Sequence, residues 1–375
     1  MTPTSNIGLY VHIPFCQHRC HFCAFYLEIA HADRMARFYS ALTNEIRILG
    51  ESDRLDGRML QSIYFGGGTP TALPPHQLAS LLKLIRTTWP TTPTAEITVE
   101  AHPSSVTRED LTILAEAGFT RVSFGAESMR EQDFVPIGRH GRVRDTATAV
   151  RASREAGFVN INLDLMYGLP GQSLQAWQRT LELILALDPS HISCYALTIE
   201  EGTKLAQDIV QQRVPSVDDG LQVEMESATE QLLTQAGLVH YEISNYAKPA
   251  WRCRHNLLYW TNGEYLGLGP SAQSYVYGAR FGNVANLDQY VASLHENRLP
   301  ITDCTTLSHS ERERDALVFG LRLVRGVPLH AIRSAERDSE IDHLIASGLL
   351  HTDQERLWLT PLGRRYADSV AERLF

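Results

Sequence analysis

Three cysteines lie within eight residues, at Cys16, Cys20 and Cys23, in a predicted loop that directly follows a predicted strand. A loop with these spacings can place three thiolates on three corners of a cubane iron–sulfur cluster. The fourth iron would stay open, and the amino and carboxylate groups of an amino acid can chelate it. Zinc is the alternative, because His12, His18 or His21 can supply a fourth ligand; buried, unliganded thiols are a further one.

Other chemical groups follow the next predicted strands. Gly66-Gly67-Gly68-Thr69-Pro70 ends the second strand, where glycine lets the backbone approach a ligand. Glu100, Glu127 and Asp164 close the third, fourth and fifth strands, so three carboxylates are expected on one rim of a barrel. The alternatives are a plain tight turn for the glycines and helix capping for the acids.

Alternating strands and helices predict how these groups are positioned. Six short β-branched or apolar runs recur with helical segments between them, which is typical of βαβ units and a parallel sheet. Helices that end at Gly118, Gly157 and Gly237 lead into strands. Six units are too few to close a barrel, so the predicted fold class is α/β, a partial (β/α)6 barrel with ligands at the carboxyl ends of the strands.

The chain changes character twice after the barrel. We predict a barrel domain over residues 1–243 and a joining segment over 244–305, rich in glycine and aromatic residues. Residues 306–375 are predicted to hold three helices, a hairpin and a final helix, which indicates a small winged-helix-like domain.

Composition narrows the function classes. The chain has 375 residues, 43% of them hydrophobic, and a formal net charge of −9, which argues against broad nucleic-acid binding. Six cysteines are too few for a disulfide framework, and neither a membrane span nor a signal peptide is evident, so we expect a cytoplasmic protein. A DNA-binding role for the C-terminal domain is a minor alternative, since acids intersperse its arginines.

Together, the motifs resemble the radical S-adenosylmethionine (SAM) superfamily. Tyr10-x-His-Ile-Pro-Phe-Cys16, Phe65-Gly-Gly-Gly-Thr-Pro70 and Asp164-Leu-Met-Tyr-Gly-Leu-Pro-Gly171 are similar to the group that contains oxygen-independent coproporphyrinogen III oxidases and HemW-type heme chaperones. The resemblance implies a [4Fe–4S] cluster on the three cysteines and SAM on its open iron. The positions that it assigns to SAM contact are Tyr10, Phe22, Gly67, Gly68, Thr69, Glu100, Glu127, Arg139 and Asp164.

The chain departs from that group at several positions. Glu127 stands where Gln is usual, and Arg139-His140-Gly141 displaces the histidine of the usual Arg-x-His by one residue. Ala24 replaces an Asp that often follows the third cysteine.

Three features favour the chaperone branch. Phe25 occupies the position at which the oxidases carry a further Cys, and only fifteen residues precede Cys16. The run from Arg254 to Trp260 matches a His-Asn-x-x-Tyr-Trp signature, in which His255 is a candidate axial ligand for heme iron. A hydrogen-bonded structural histidine is the alternative.

The resemblance implies a function as well as a set of cofactors. It implies a heme chaperone that binds a cluster, SAM and heme and passes heme to acceptor hemoproteins, with a homodimer as a candidate assembly. Coproporphyrinogen III oxidase and a heme-degrading radical SAM enzyme are the enzymatic alternatives.

Overall fold

The fold follows from a computed structural model that describes residues 6–52, 55, 57–329 and 335–374. In chain order the strands are β1 (Ile7–Ile13), β2 (Phe15–Cys16), β3 (Glu28–Ile29), β4 (Leu60–Gly67), β5 (Thr91–Ala101), β6 (Arg121–Glu127), β7 (Asn160–Tyr167), β8 (His191–Ala196), β9 (Val239–Glu242), β10 (Asn245–Ala247), β11 (Tyr265–Leu268), β12 (Gln273–Val276), β13 (Ala279–Asn283), β14 (Ile301–Thr306), β15 (Val327–Pro328), β16 (Leu350–Thr352) and β17 (Arg356–Leu359). The α-helices are α1 (Ala32–Glu51), α2 (Pro75–Thr88), α3 (Arg108–Ala117), α4 (Glu131–Phe134), α5 (Val143–Glu155), α6 (Leu174–Leu185), α7 (Lys204–Val210), α8 (Asp219–Gln235), α9 (Arg254–Trp260), α10 (Leu287–His295), α11 (His309–Gly320), α12 (Ala335–Ala346), α13 (Pro361–Arg365) and α14 (Ala367–Leu374).

The predicted partial barrel is confirmed. Strands β1, β4, β5, β6, β7 and β8 are adjacent in that order, and each pairs in parallel with the next. Their carboxyl ends therefore meet at one rim, as six consecutive βα units require.

The sheet extends further than the six predicted strands. Strand β11 pairs in parallel with β1, and β12, β13 and β14 follow it in antiparallel order. Strands β10 and β9 are added beyond β8 at the other edge. Five of these strands come from the segment 244–305, which we predicted only as a joining segment. They are three to six residues long and interrupted by glycine and turns, so no strand periodicity marks them.

Helix α3 begins and ends at the capping residues that the sequence predicts. Helix α3 starts with a capping box, in which the Thr107 hydroxyl accepts the Asp110 N–H at 3.1 Å and the Asp110 carboxylate accepts the Thr107 N–H at 2.9 Å. The helix ends at Gly118, whose φ of 104° is the left-handed conformation that glycine tolerates. The chain then enters β6 directly.

The barrel interior is polar where six strands face one another. On β6 the inward side chains are Arg121 and Ser123, and on β7 they are Asn162 and Asp164; all four line one cavity. Apolar residues such as Val122 and Leu163, at the positions between them, belong to the main hydrophobic core. The strands thus bury an apolar outer face under the helices and a polar inner face around a cavity.

The C-terminal residues form a second core. Strands β15, β17 and β16 make a small antiparallel sheet, and the predicted hairpin is the β16–β17 pair. Two helices, α11 and α12, precede the hairpin in the described residues; the stretch 330–334, on which a further predicted helix would fall, lies outside them. The apolar residues of this core include Leu317, Ile341, Leu344, Leu350, Leu357 and Val370.

Two arginines of this domain face the barrel. Arg364, which is buried, places Nη2 2.8 Å from Oε2 of Glu230 on α8, and Arg365 Nε lies 2.5 Å from Oε2 of Glu226. A DNA-binding surface would use these arginines for phosphate, but here they bind carboxylates of the barrel.

None of the helices in the described part of the chain combines the length and apolar character needed to cross a bilayer.

Candidate cluster and cofactor site

The three motif cysteines lie at the carboxyl rim of the barrel. Cys16 ends β2, and Cys20 and Cys23 follow in the loop, each partly exposed toward one cavity of about 560 Å³. Burial raises the pKa of the Cys16 and Cys20 thiols, and the charge of Cys23 adds to both shifts. Iron would replace the protons of such thiols, since the thiolate is the ligand.

The arrangement fits a cluster better than a single metal ion. Within the described ranges, no group of three or more His, Cys, Asp or Glu side chains is placed to hold one ion. Single-ion zinc sites need their ligands to converge, whereas a cubane takes one thiolate on each iron. The thiols therefore fit a [4Fe–4S] cluster, which would supply an open iron for a chelating amino acid and an electron for its cleavage.

The glycine turn holds the cluster loop against the barrel. The Gly68 N–H donates to Ile13 O at 2.9 Å, and the Thr69 N–H donates to Phe15 O at 2.8 Å. A Cβ on Gly68 would lie 2.7 Å from Phe15 O, and Gly67 has a φ of 115°. The Thr69 hydroxyl is 3.5 Å from Cys16 Sγ. Only glycine permits this approach, so the turn is part of the cluster site.

Arg139 connects the cluster loop to strand β6. Its Nη1 lies 3.9 Å from Cys20 Sγ, and its Nη2 donates to Gly125 O. The same Nη2 is 3.8 Å from Oε1 of Glu127. The guanidinium is therefore able to balance negative charge on both the cluster loop and the rim.

The three predicted carboxylates line the same cavity. Glu100 Oε1 accepts the Tyr64 hydroxyl at 2.7 Å, and burial raises the pKa of Glu100 to about 7. Asp164 accepts the Ser123 hydroxyl at 3.1 Å and the Asn162 amide at 2.8 Å. The rim is thus able to accept hydrogen bonds from a ligand's ammonium or hydroxyl groups.

Glu127 is held in a strained backbone conformation. Its φ is 61°, the Ser128 N–H donates back to Ala126 O at 2.7 Å, and the β6–β7 register shifts there. This tight turn is rare for a residue with a side chain. Burial raises the pKa of Glu127, with Arg139 opposing the shift and Asp164 adding to it. The turn directs the carboxylate into the cavity.

Two predicted site residues do not line the cavity. Tyr10 lies behind Gly66, where an added Cβ would be 3.1 Å from the Tyr10 ring, and its hydroxyl is 3.2 Å from His12 Nδ1. His255 lies on α9 at the opposite, amino-terminal end of the barrel. The eleven that do line it are Cys16, Cys20, Cys23, Phe22, Gly67, Gly68, Thr69, Glu100, Glu127, Arg139 and Asp164.

Both ring nitrogens of His255 are occupied. Nδ1 is 2.9 Å from the Ser62 hydroxyl and Nε2 is 2.8 Å from the Tyr259 hydroxyl, while the side chain is 1% exposed. Burial, with a smaller contribution from Arg121, lowers the pKa of His255 to about 3. In this conformation the imidazole has no free lone pair for iron, which is the arrangement of a structural histidine.

The cavity also contains residues that were not among the predicted site residues. Tyr64, Arg121 and Tyr195 line it from the strands, and Asn256 lines it from α9. The available signal was the alternation of polar residues along otherwise apolar strands, such as Arg121 and Ser123 on β6. That alternation indicates a polar barrel interior, but it does not show which of the polar residues would bind a ligand.

Substitution of the motif cysteines provides a direct test of the cluster site. We expect Cys16→Ser, Cys20→Ser and Cys23→Ser each to lower the iron and sulfide content of anaerobically reconstituted protein and to remove its visible charge-transfer absorption, because each thiolate binds one iron. The matched control is Cys304→Ser, which changes an exposed cysteine remote from the motif. Full iron content in any of the three motif variants would contradict the assignment.

Comparison with known proteins identifies two family models and a similar fold. The family model described as Radical SAM superfamily matches residues 10–184, and the model described as HemN C-terminal domain matches residues 307–366. Among solved structures, coproporphyrinogen III oxidase (HemN) from Escherichia coli superposes with a TM-score of 0.86 at 24% identity, covering 98% of this chain and 90% of that one. At that identity, the likeness supports the fold alone.

Full-length relatives give the family. The heme chaperone HemW of Bacillus subtilis is 34% identical over 96% of this chain and 97% of its own length. The heme chaperone HemW of Mycobacterium tuberculosis (strain H37Rv) is 34% identical over 99% of this chain and 95% of its own length. The Escherichia coli heme chaperone HemW is 35% identical over 74% of this chain and 72% of its own length. The chain belongs to the radical SAM superfamily, whose cofactors are a [4Fe–4S] cluster and SAM, and within it to the HemW family.

Proposed function

We propose that this protein is a heme chaperone, which binds a [4Fe–4S] cluster, SAM and heme and transfers heme to acceptor hemoproteins. The observation that carries the proposal is full-length similarity to relatives named heme chaperone HemW, combined with a rim that retains the three cysteines. The cluster and SAM then act on heme binding, release or self-association, with a homodimer as the proposed assembly.

For SAM, we propose the rim as the binding site. Gly67, Gly68 and Thr69 offer backbone groups to its methionine end, while Glu100, Glu127 and Asp164 accept from its polar groups. Arg139 and Phe22 complete this set from the loops. Tyr10 is proposed to act indirectly, by packing behind Gly66, since it does not line the cavity.

The ionisation of Glu100 gives the SAM site a pH dependence. Its pKa is raised to about 7 by burial, so the carboxylate is mostly protonated below that pH and a poor acceptor. We expect SAM affinity to fall as pH decreases from about 8 to 6, approaching about tenfold per unit below the pKa. Anaerobic calorimetry of cluster-loaded protein measures this, and Glu100→Gln should flatten the slope. An equal slope in the variant would exclude Glu100 as the titrating group.

The decisive experiment compares heme binding with porphyrinogen conversion. Cluster-reconstituted protein is titrated anaerobically with heme, followed by its Soret band, and the same preparation is incubated with SAM, reductant and coproporphyrinogen III. We expect stoichiometric heme binding and no conversion. Conversion without tight heme binding would instead identify a coproporphyrinogen III oxidase, and loss of heme itself in the presence of SAM and reductant would identify a degrading enzyme.

His255 remains the proposed heme ligand, and its environment defines the test. Iron can bind Nε2 only if the Tyr259 hydroxyl leaves it, because that bond occupies the nitrogen. We therefore expect His255→Ala to lose heme while keeping its iron–sulfur content, and Tyr259→Phe to bind heme at least as tightly as the native protein. Native-like heme binding by His255→Ala, measured from the Soret band, would assign His255 the structural role instead.

A further inference from the structure

One cationic side chain in the barrel lacks the partners that burial demands. Arg121 opens strand β6, is 2% exposed, and has no hydrogen-bond partner for Nε or Nη1 in the part of the chain that the structure describes. Arginine stays protonated under all ordinary conditions. An isolated charge is strongly unfavourable when it is buried, so a residue in this state calls for a counter-charge.

Glu96, an acid whose charge acts on Arg121, binds other groups through one of its oxygens. Glu96, on neighbouring strand β5, accepts the backbone N–H groups of Arg254 and His255 at 2.9 and 3.2 Å through Oε1. The same oxygen is 3.4 Å from Cys253 Sγ. Its carboxylate thus holds the start of α9 against the barrel. Glu96 influences Arg121 electrostatically, but among the described residues it forms no ion pair with it.

The unpaired guanidinium faces the cofactor cavity. Arg121 lines the cavity that also contains the cluster cysteines, and Asn256, from the His-Asn-x-x-Tyr-Trp motif, lines it as well. Arg121 is the first residue of β6, so it lies at the amino end of the barrel, remote from the cluster cysteines at the carboxyl rim. The cavity therefore has carboxylates at its rim. At its opposite end, here called the floor, it has the guanidinium of Arg121 and the amide of Asn256.

We propose that Arg121, with Asn256 as a second donor, binds the carboxylate of a ligand that occupies the barrel. A guanidinium fork matches the two oxygens of a carboxylate. Phosphate has the same match, but the rim carboxylates Glu100, Glu127 and Asp164 repel a dianion more strongly than a monoanion. The motif's Asn256 would thereby contribute to the ligand site itself, independently of any role of His255.

The source that the cavity favours is a propionate side chain of a tetrapyrrole, and this source rests on the proposed heme function. The methionine carboxylate of SAM is expected at the open iron of the cluster, at the opposite end of the barrel, so SAM provides the comparison. The experiment separates the two carboxylates while testing the shared chemistry.

The test measures discrimination between carboxylate ligands and their neutral counterparts on cluster-loaded protein. The pairs are propionate against propionamide, heme against heme dimethyl ester, and SAM against decarboxylated SAM. We expect the native protein to prefer propionate and the carboxylate form in one of the cofactor pairs. In Arg121→Gln that preference should fall by about tenfold or more, because a charge-assisted bond is lost. The cofactor pair that changes identifies the source.

The controls keep the outcome decisive. Arg58→Gln removes an arginine that is 4% exposed but paired with Glu264 and outside the cavity, so its preferences should match the native protein. Asn256→Ala provides the same test at a neighbouring donor if Arg121→Gln fails to fold. Unchanged preferences in both site variants, or no propionate binding by native protein, would overturn the proposal. Failure of native protein to bind heme would overturn the heme function alone, since the propionate pair still tests the floor.

Discussion

The close contact between two backbones organises this site. The turn at Gly67 and Gly68 lies directly on the segment from Ile13 to Phe15, with N–H groups of one donating to carbonyls of the other. This contact fixes the cluster loop at the end of β4, at the rim where the parallel strands deliver their acids. A side chain at Gly68 would press on backbone, which cannot move away as a flexible side chain can. The cluster loop, rim and cavity therefore share one steric constraint.

A polar interior is the second requirement of the cofactor site. The apolar outer faces of the strands compensate for it, because they form the hydrophobic core with the helices. Side chains alternate across each strand, so apolar residues such as Val122 and Leu163 pack under helices while Ser123 and Asn162 face inward. The inner groups satisfy one another: Asn162 donates to Ser123 at 2.6 Å, and Ser123 donates to Asp164 at 3.1 Å. Networks of this kind allow a buried cavity to stay polar and open. Nε and Nη1 of Arg121, in the same lining, have no such partner among the described residues.

Sequence predicted the parts of the fold that depend on local signals. The capping box at Thr107, the glycine at Gly118 and the six apolar strands are each encoded within a few residues, and the structure confirms them. Strands such as β11 and β13 were not predicted, because their pairing is decided by distant edges of the sheet. The cavity lining divides in the same way. Cys16 was visible from its spacing, whereas Arg121 could be recognised only after the barrel brought it opposite α9.

The position of α9 changes how its motif is interpreted. From sequence, the His-Asn-x-x-Tyr-Trp signature offers His255 as a candidate axial ligand for heme iron. In the structure, Glu96 fixes the start of the helix at the barrel floor, and Ser62 and Tyr259 hold the imidazole between them. The motif thus closes the cavity at the end opposite the cluster. A heme ligand at His255 would require this closure to open, while a carboxylate on Arg121 and Asn256 would use it as it stands, so the two roles require different states of one helix.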